Sequence, residues 1–145
     1  MSVIPEPPRT EETQEVSRWS WHLTKALRDR QIADAKEIQT LDATPTILFK
    51  RTIEDKSAYW IEGYILAQKS DATDRAAYLR RVLVFRNGGA ATIQGAVSAV
   101  ETIESDVTWD ATFDVLGNDV RLKVTGKAGT TINWNAVILY IHRMR

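Results

Sequence analysis

WDATFDVLGNDVRLKVTGKAGTTINW, residues 109–134, carries the pattern that decides the fold. Gly117 and Asn118 separate two runs in which apolar and polar side chains alternate, and a two-residue connection of this kind uses the positive φ that Gly and Asn tolerate. Counting outward from the turn sets a register. Val115 faces Val120, Phe113 faces Leu122 and Ala111 faces Val124 on one side of the ribbon. On the other, Asp114 faces Arg121, Thr112 faces Lys123 and Asp110 faces Thr125, with Leu116 against Asp119 beside the turn. A slip of one residue would carry every apolar side chain to the polar face, so the pattern selects its own register. Asp110 and Asp114 share a strand face as an acid and a base would, but Arg121 and Lys123 stand opposite, and the pair reads as cross-strand ion pairing.

The period of two extends beyond this ribbon. Runs at 46–53, 58–68, 76–86, 91–97, 99–105 and 131–143 also suit strands, divided by EDKS, KSDATD, NGGA and GKAG. Short strands punctuated by Gly, Asn and Asp indicate an all-β fold, an antiparallel β-sandwich of jelly-roll type over residues 44–145. Gly126-Lys127-Ala128-Gly129 lacks Walker spacing and leads into a strand, so it reads as a turn and not as a phosphate loop.

Upstream the pattern changes. Pro5, Pro7 and Pro8 remove backbone donors and, with Ile4, mark residues 1–9 as an extended attachment arm. From Thr10 an N-cap and acidic side chains open a helix. Val16, Trp19, Leu23 and Leu27 then recur at three- and four-residue steps, with Arg18, Lys25 and Arg28 mostly off that face. The stripe lapses at Gln31 and Asp34 and resumes at Ile38 and Leu41, so one long or two short helices are expected over 10–43, ending before Thr44-Pro45.

At 145 residues the chain suits one domain with an appendage. Its 19 basic and 19 acidic side chains cancel, which removes the charge that nucleic acid or an anionic membrane demands. Cysteine is absent, excluding disulfides, thiolate-bound zinc and thiol catalysis. His22 and His142 are the only histidines and lie far apart in sequence, leaving no material for a His-based metal site or triad. No catalytic residue, metal or cofactor is expected, and the enzyme class is set aside. There is no signal-peptide pattern and no apolar run near the roughly 20 residues of a membrane span, so a soluble protein without membrane insertion is expected. Arg75, Arg80, Arg81 and Arg86 offer a basic strip, but Arg80 and Arg81 point to opposite strand faces and read as solvated or interface side chains.

Two surfaces remain. Trp60, Glu62 and Tyr64 share one strand face, opposite Tyr59, Ile61, Ile65 and Ala67. Two outward aromatics around a carboxylate suit a receptor or glycan surface, or packing against a neighbouring subunit. In RRVLVFR (80–86) and AVILYI (136–141) both strand faces are apolar. A sandwich strand has one core face, so the second requires a cover, either the N-terminal helix or another copy of the chain. Val16, Trp19, Leu23, Leu27, Val82, Val84, Val137, Leu139 and Ile141 are therefore the expected contacts of a homotrimer, with Gln31 as a polar layer in the helical seam.

With IPEPPRT (4–10), EVSRWSWHLTKALRDR (15–30) and LGNDVRLKVTGKAGTTINWNAVI (116–138) in place, the chain resembles bacteriophage virion structural proteins of the short tail-fibre or spike type. VTGKAGTTINW (124–134) is similar to a closing hairpin in β-modules of phage tail and fibre proteins. The resemblance implies an arm docked on other virion proteins, a trimerising helix and a displayed β-module. It implies a non-enzymatic protein of the virion tail or capsid surface, made in the host cytoplasm, with a host surface glycan as a further partner. The alternatives are a carbohydrate-binding module built on Trp60, Glu62 and Tyr64, and a capsid decoration or head-closure protein. The lapse of the seam at Gln31 implies a compact knob in place of a long coiled coil.

Overall fold

The computed structural model describes residues 31–144, with side chains from Asp34 to Arg143. The attachment arm (Ile4, Pro5, Pro7, Pro8), the stripe Val16, Trp19, Leu23 and Leu27, and His22 lie outside the described residues. Eight strands follow one another: β1 (Gln31–Thr40), β2 (Thr46–Thr52), β3 (Ser57–Lys69), β4 (Arg75–Arg86), β5 (Thr92–Glu104), β6 (Asp110–Leu116), β7 (Asp119–Thr125) and β8 (Ile132–Met144). They form a five-stranded sheet, β1-β8-β3-β4-β5, and a three-stranded sheet, β2-β7-β6, with every pairing antiparallel. The buried apolar side chains of both sheets make one core. The outer pairs, β1 with β8 and β2 with β7, nest as in a jelly roll. The inner strands depart from that scheme: β3, β4 and β5 run as a meander in one sheet and β6 with β7 closes as a hairpin. Connection length does not decide this, since the β1–β2, β2–β3 and β5–β6 links of four or five residues pass between the sheets while the β3–β4 and β4–β5 links of five stay within one.

The β6–β7 register matches the sequence reading at every pair from Asp110↔Thr125 to Leu116↔Asp119. Ala111, Phe113, Val120, Leu122 and Val124 are buried, and Arg121 donates to both carboxylate oxygens of Asp114 at 2.7 Å. In the turn only Gly117 has positive φ (61°), so a positive angle stands at the first central residue alone, the type II′ arrangement, and Asn118 needs none.

Three expectations are corrected. Residues 31–40 are not helical: they form β1, paired with β8 over its whole length, and 41–44 are bends. The Ala, Lys, Glu and Gln of this stretch are helix formers, but the ladder to β8 overrides that weak local preference. The sandwich consequently begins at Gln31 and not at Thr44, and Gln31 is a strand residue. The two short strands expected at 91–97 and 99–105 are one, β5, which carries Gly95 at φ 77° and two register shifts against β4. Val82 and Val84, expected at a subunit contact, are wholly buried between the sheets of a single chain.

Their neighbour on that face, Arg80, is also inside. Its side chain is only 6% exposed, and it donates from Nε to the Ala111 carbonyl (2.8 Å) and from Nη1 to the Glu101 carbonyl (2.7 Å). It thereby ties β5, at the edge of the larger sheet, to β6, at the edge of the smaller, and its guanidinium lies 4.9 Å from the Tyr78 ring centroid. Arg80 is a clasp and not a solvated arginine.

Candidate functional site

The surface that packing leaves unfinished is the outer face of the five-stranded sheet. Alternation in β3 sends Tyr59, Ile61, Ile65 and Ala67 inward, all buried, and leaves Trp60 and Tyr64 outward at 44% and 43% exposure. Cross-strand register extends this into rows. Ile141, Trp60 and Leu83 form one, and Leu139, Glu62 and Arg81 the next. Val137, Tyr64 and Leu79 follow, then Asn135, Leu66 and Ala77. Val137, Ile141 and Leu66 are exposed, as are Val100 and Ile103 on β5. Together these exceed the scattered apolar side chains usual on a soluble surface.

One half of this face is concave. A groove of about 880 Å³ runs across all five strands, with Tyr64, Leu66, Ala77, Leu79 and Val137 on its floor, Ala35 and Glu37 on the β1 side, and Val100 and Glu101 on the β5 side. Ala35 and Ala77 are the small side chains that deepen it. The other half, around Trp60, Leu139 and Ile141, lies towards the start of β1, since Gln31 pairs with Ile141.

A charge pair divides the two halves. Arg81 donates from Nε to Glu62 Oε2, and the Tyr64 hydroxyl donates to Glu62 Oε1 at 2.8 Å. Those bonds, the Tyr64 hydroxyl first and Arg81 second, hold the Glu62 carboxyl below its ordinary value, and the carboxylate in turn raises the Tyr64 hydroxyl. Both oxygens of Glu62 thus have partners before any ligand arrives.

Elsewhere the polar groups read as structure. Asp114 is held low by Arg121 and then Lys123, the pairing the sequence indicated. Asp110 is exposed and stands 4.0 Å from Arg80. Of the remaining strip, Arg75 is exposed, and Arg86 donates to the Gly89 carbonyl. Lys127 of the GKAG turn pairs with Asp106 at 2.9 Å and faces no anion site. His142 stacks on Tyr59 at 4.2 Å between centroids, 3.6 Å from Glu54. Among the described residues no three His, Asp or Glu side chains could hold a metal ion, and no helix is long and apolar enough to cross a membrane.

The sequence reading set Trp60, Glu62 and Tyr64 on one strand face and named Val137, Leu139 and Ile141 separately as subunit contacts; the β3–β8 register brings the two sets together on one sheet face. The sequence reading missed Leu66, Ala77 and Leu79. Leu66 was available from the same alternation, two residues beyond Tyr64, whereas Leu79 required the β3–β4 register.

No protein-family model matches the chain, and no curated protein matches it. Among solved structures the fold is similar to part of the tailspike protein of Acinetobacter baumannii phage AM24, with a TM-score of 0.53 and 12% identity over 77% of this chain and 26% of that one. A weaker likeness, TM-score 0.43 and 12% identity over 96% of this chain and 23% of the other, is to tailspike gp49 of Acinetobacter baumannii bacteriophage Fri1, described as a capsular polysaccharide depolymerase. The chain spans about a quarter of each. The expectation of a non-enzymatic protein does not stand, the Fri1 tailspike being described as an enzyme. The sandwich is similar in fold to part of one phage tailspike.

Proposed function

We propose that the chain is a tail component of a bacteriophage, of the spike or short tail-fibre type, in which three copies associate, the N-terminal arm docks on another virion protein and the β-sandwich is displayed outward. The observation that carries this reading is the corner on the outer face of the larger sheet where Trp60 and Ile141 are exposed beside a half-buried Leu139. A free-standing domain gains nothing from such a surface, and a threefold assembly hides it. The shared tailspike fold supports the placement in a tail. Light scattering on the purified chain tests it: three times the chain mass is expected, falling when Leu139→Asp places a charge in the contact. A monodisperse monomer for the unmodified chain overturns the trimer.

A second reading takes a host surface polysaccharide as ligand, with the Trp60 and Tyr64 rings stacking on sugar C–H faces. The exposed ring of Trp60 favours it. The bonds already made by Glu62 count against it, because each carboxylate oxygen has used one acceptor position within the protein and only part of its capacity remains for a sugar hydroxyl. A glycan array separates the two: binding lost in Trp60→Ala with the trimer intact supports the second.

A further inference from the structure

We propose that the corner of one copy seats in the groove of the next, with Trp60 over Tyr64 and Ile141 over Val137 of the neighbouring copy. This rests on the threefold reading above and names the surface that receives the corner. The two halves of the outer face are built from unlike parts. The corner presents Trp60, the largest side chain of the face, beside Ile141, at 44% and 54% exposure. The other half is a trough of about 880 Å³ in which Tyr64, Leu66, Val100 and Val137 are 40–56% exposed. Within one chain the two halves cannot meet, because Trp60 and Tyr64 stand on one strand about 13 Å apart at ~3.3 Å per residue and point the same way. Between copies they can.

Charge agrees. Arg143 is exposed on the corner half, two residues beyond Ile141 on β8, and pairs with no carboxylate among the described residues. Glu37 and Glu101 are exposed on the two sides of the groove, while Lys36 beside Glu37 is already paired with Asp34 at 3.7 Å. A rotation that lays corner on groove sets each strand against the same strand of the neighbour, so Arg143 arrives at the row of Asn135 and Glu37. A twofold achieves this only by setting Glu62 directly on Glu62 and Arg81 on Arg81, whereas a threefold spreads them around the axis.

Size decides how the contact is used. Five strands at ~4.8 Å and eight residues of β8 at ~3.3 Å give a face of roughly 600 Å². One corner-in-groove contact takes half the face from each of two copies, roughly 600 Å² in all, which is below the ~1,000 Å² of a lasting pair. In a closed ring every copy makes the contact twice. Assembly should therefore pass from monomer to ring with no dimer accumulating.

The chain contains no cysteine, so introduced thiols are the only ones. In Arg143→Cys/Asn135→Cys both thiols stand on β8, about 26 Å apart within a chain at ~3.3 Å per residue, and they meet only across the contact. The full chain treated with a short bismaleimide, at a concentration where scattering shows three copies, should give covalent dimers and trimers on a denaturing gel. Neither single variant should link. Arg143→Glu should raise the concentration at which the assembly dissociates about tenfold, and adding Glu37→Arg should restore it. A trimer whose double variant links no more than the single ones, or whose charge swap restores nothing, overturns this contact and leaves the threefold reading standing. A monomer, or a stable dimer, overturns both.

Discussion

Replacing Arg80 with methionine tests how the sandwich is closed. The substitution keeps most of the stem that packs beside Tyr78 and removes the donors to the Ala111 and Glu101 carbonyls. Hydrogen bonds to a charged group contribute about 1.5–3 kcal/mol each, and a buried acceptor left without a partner costs about 1–3 kcal/mol. Ala111 is fully buried, so its carbonyl has no water to turn to, whereas Glu101 is exposed and its carbonyl can be solvated. Removing a buried charge returns part of its desolvation cost. The carboxylate of Asp110, 4.0 Å away, has a side chain 60% exposed, so it is not stranded. The net loss should be about 2–4 kcal/mol, or roughly 8–15 °C in Tm for a domain of this size. Arg80→Lys should recover less than half, because one ammonium on a flexible stem cannot span two carbonyls on different sheets. Urea denaturation followed by circular dichroism measures it, with the midpoint falling at unchanged m-value. A midpoint within about 0.5 kcal/mol of the parent would show that the clasp contributes nothing to stability and that water can replace it.

Two further perturbations bear on single contacts. A Cβ at Gly126 would stand 2.6 Å from Thr40 Oγ1 and 2.9 Å from the Asp42 carbonyl oxygen. The second is backbone and cannot rotate away, so Gly126→Ala should cost about 1–3 kcal/mol in denaturation experiments and perturb the Trp134 near-UV signal, since Trp134 donates to Thr40 Oγ1; an unchanged midpoint refutes the close packing. The Asp106 carboxyl is held down to about 2 by the Thr108 hydroxyl, then the Thr108 amide, then Lys127. A folded-state value below the ordinary 3.8 means that this stabilisation is fully present above about pH 4 and is lost as pH falls towards about 2. The stability gap between the parent and Asp106→Ala should therefore narrow over that window, and a gap independent of pH would refute the assignment.

How much was legible in the sequence depended on whether one strand face meets water. In β6, β7 and β3 alternation gave the inward face, and in the β6–β7 hairpin it gave the register as well. In β4 the outward side chains include Leu79, Leu83 and Phe85, so both faces are apolar and alternation no longer distinguishes inside from outside. Arg80 then misleads, for it shares the parity of Val82 and Val84, and a charged side chain reads as outward-facing. It is inside because two carbonyls from different sheets meet it there, and no local pattern encodes such partners. β1 fails differently. QIADAKEIQT has the composition of a helix, and it is a strand because β8 leaves an open edge that only this segment reaches in the described structure. Edge partners of this kind are decided by topology, to which residue preference is blind.

The charge pair at the centre of the outer face narrows what that face is for. An isolated Glu62 there would have to surrender water to any apolar partner, at a cost that opposes association. Bound to Arg81 and the Tyr64 hydroxyl beforehand, it presents a nearly neutral, already ordered patch, so a protein surface that closes over it strands no unpaired charge, although the pair still gives up its water. A sugar gains less from the same arrangement, because recognition of its hydroxyls depends on polar groups left free to bond. Trp60 and Tyr64 fit either partner, so the aromatic rings do not decide the matter. The occupied carboxylate does: with one partner already on each oxygen, it makes the face better suited to being covered by a protein surface than to reading a polysaccharide.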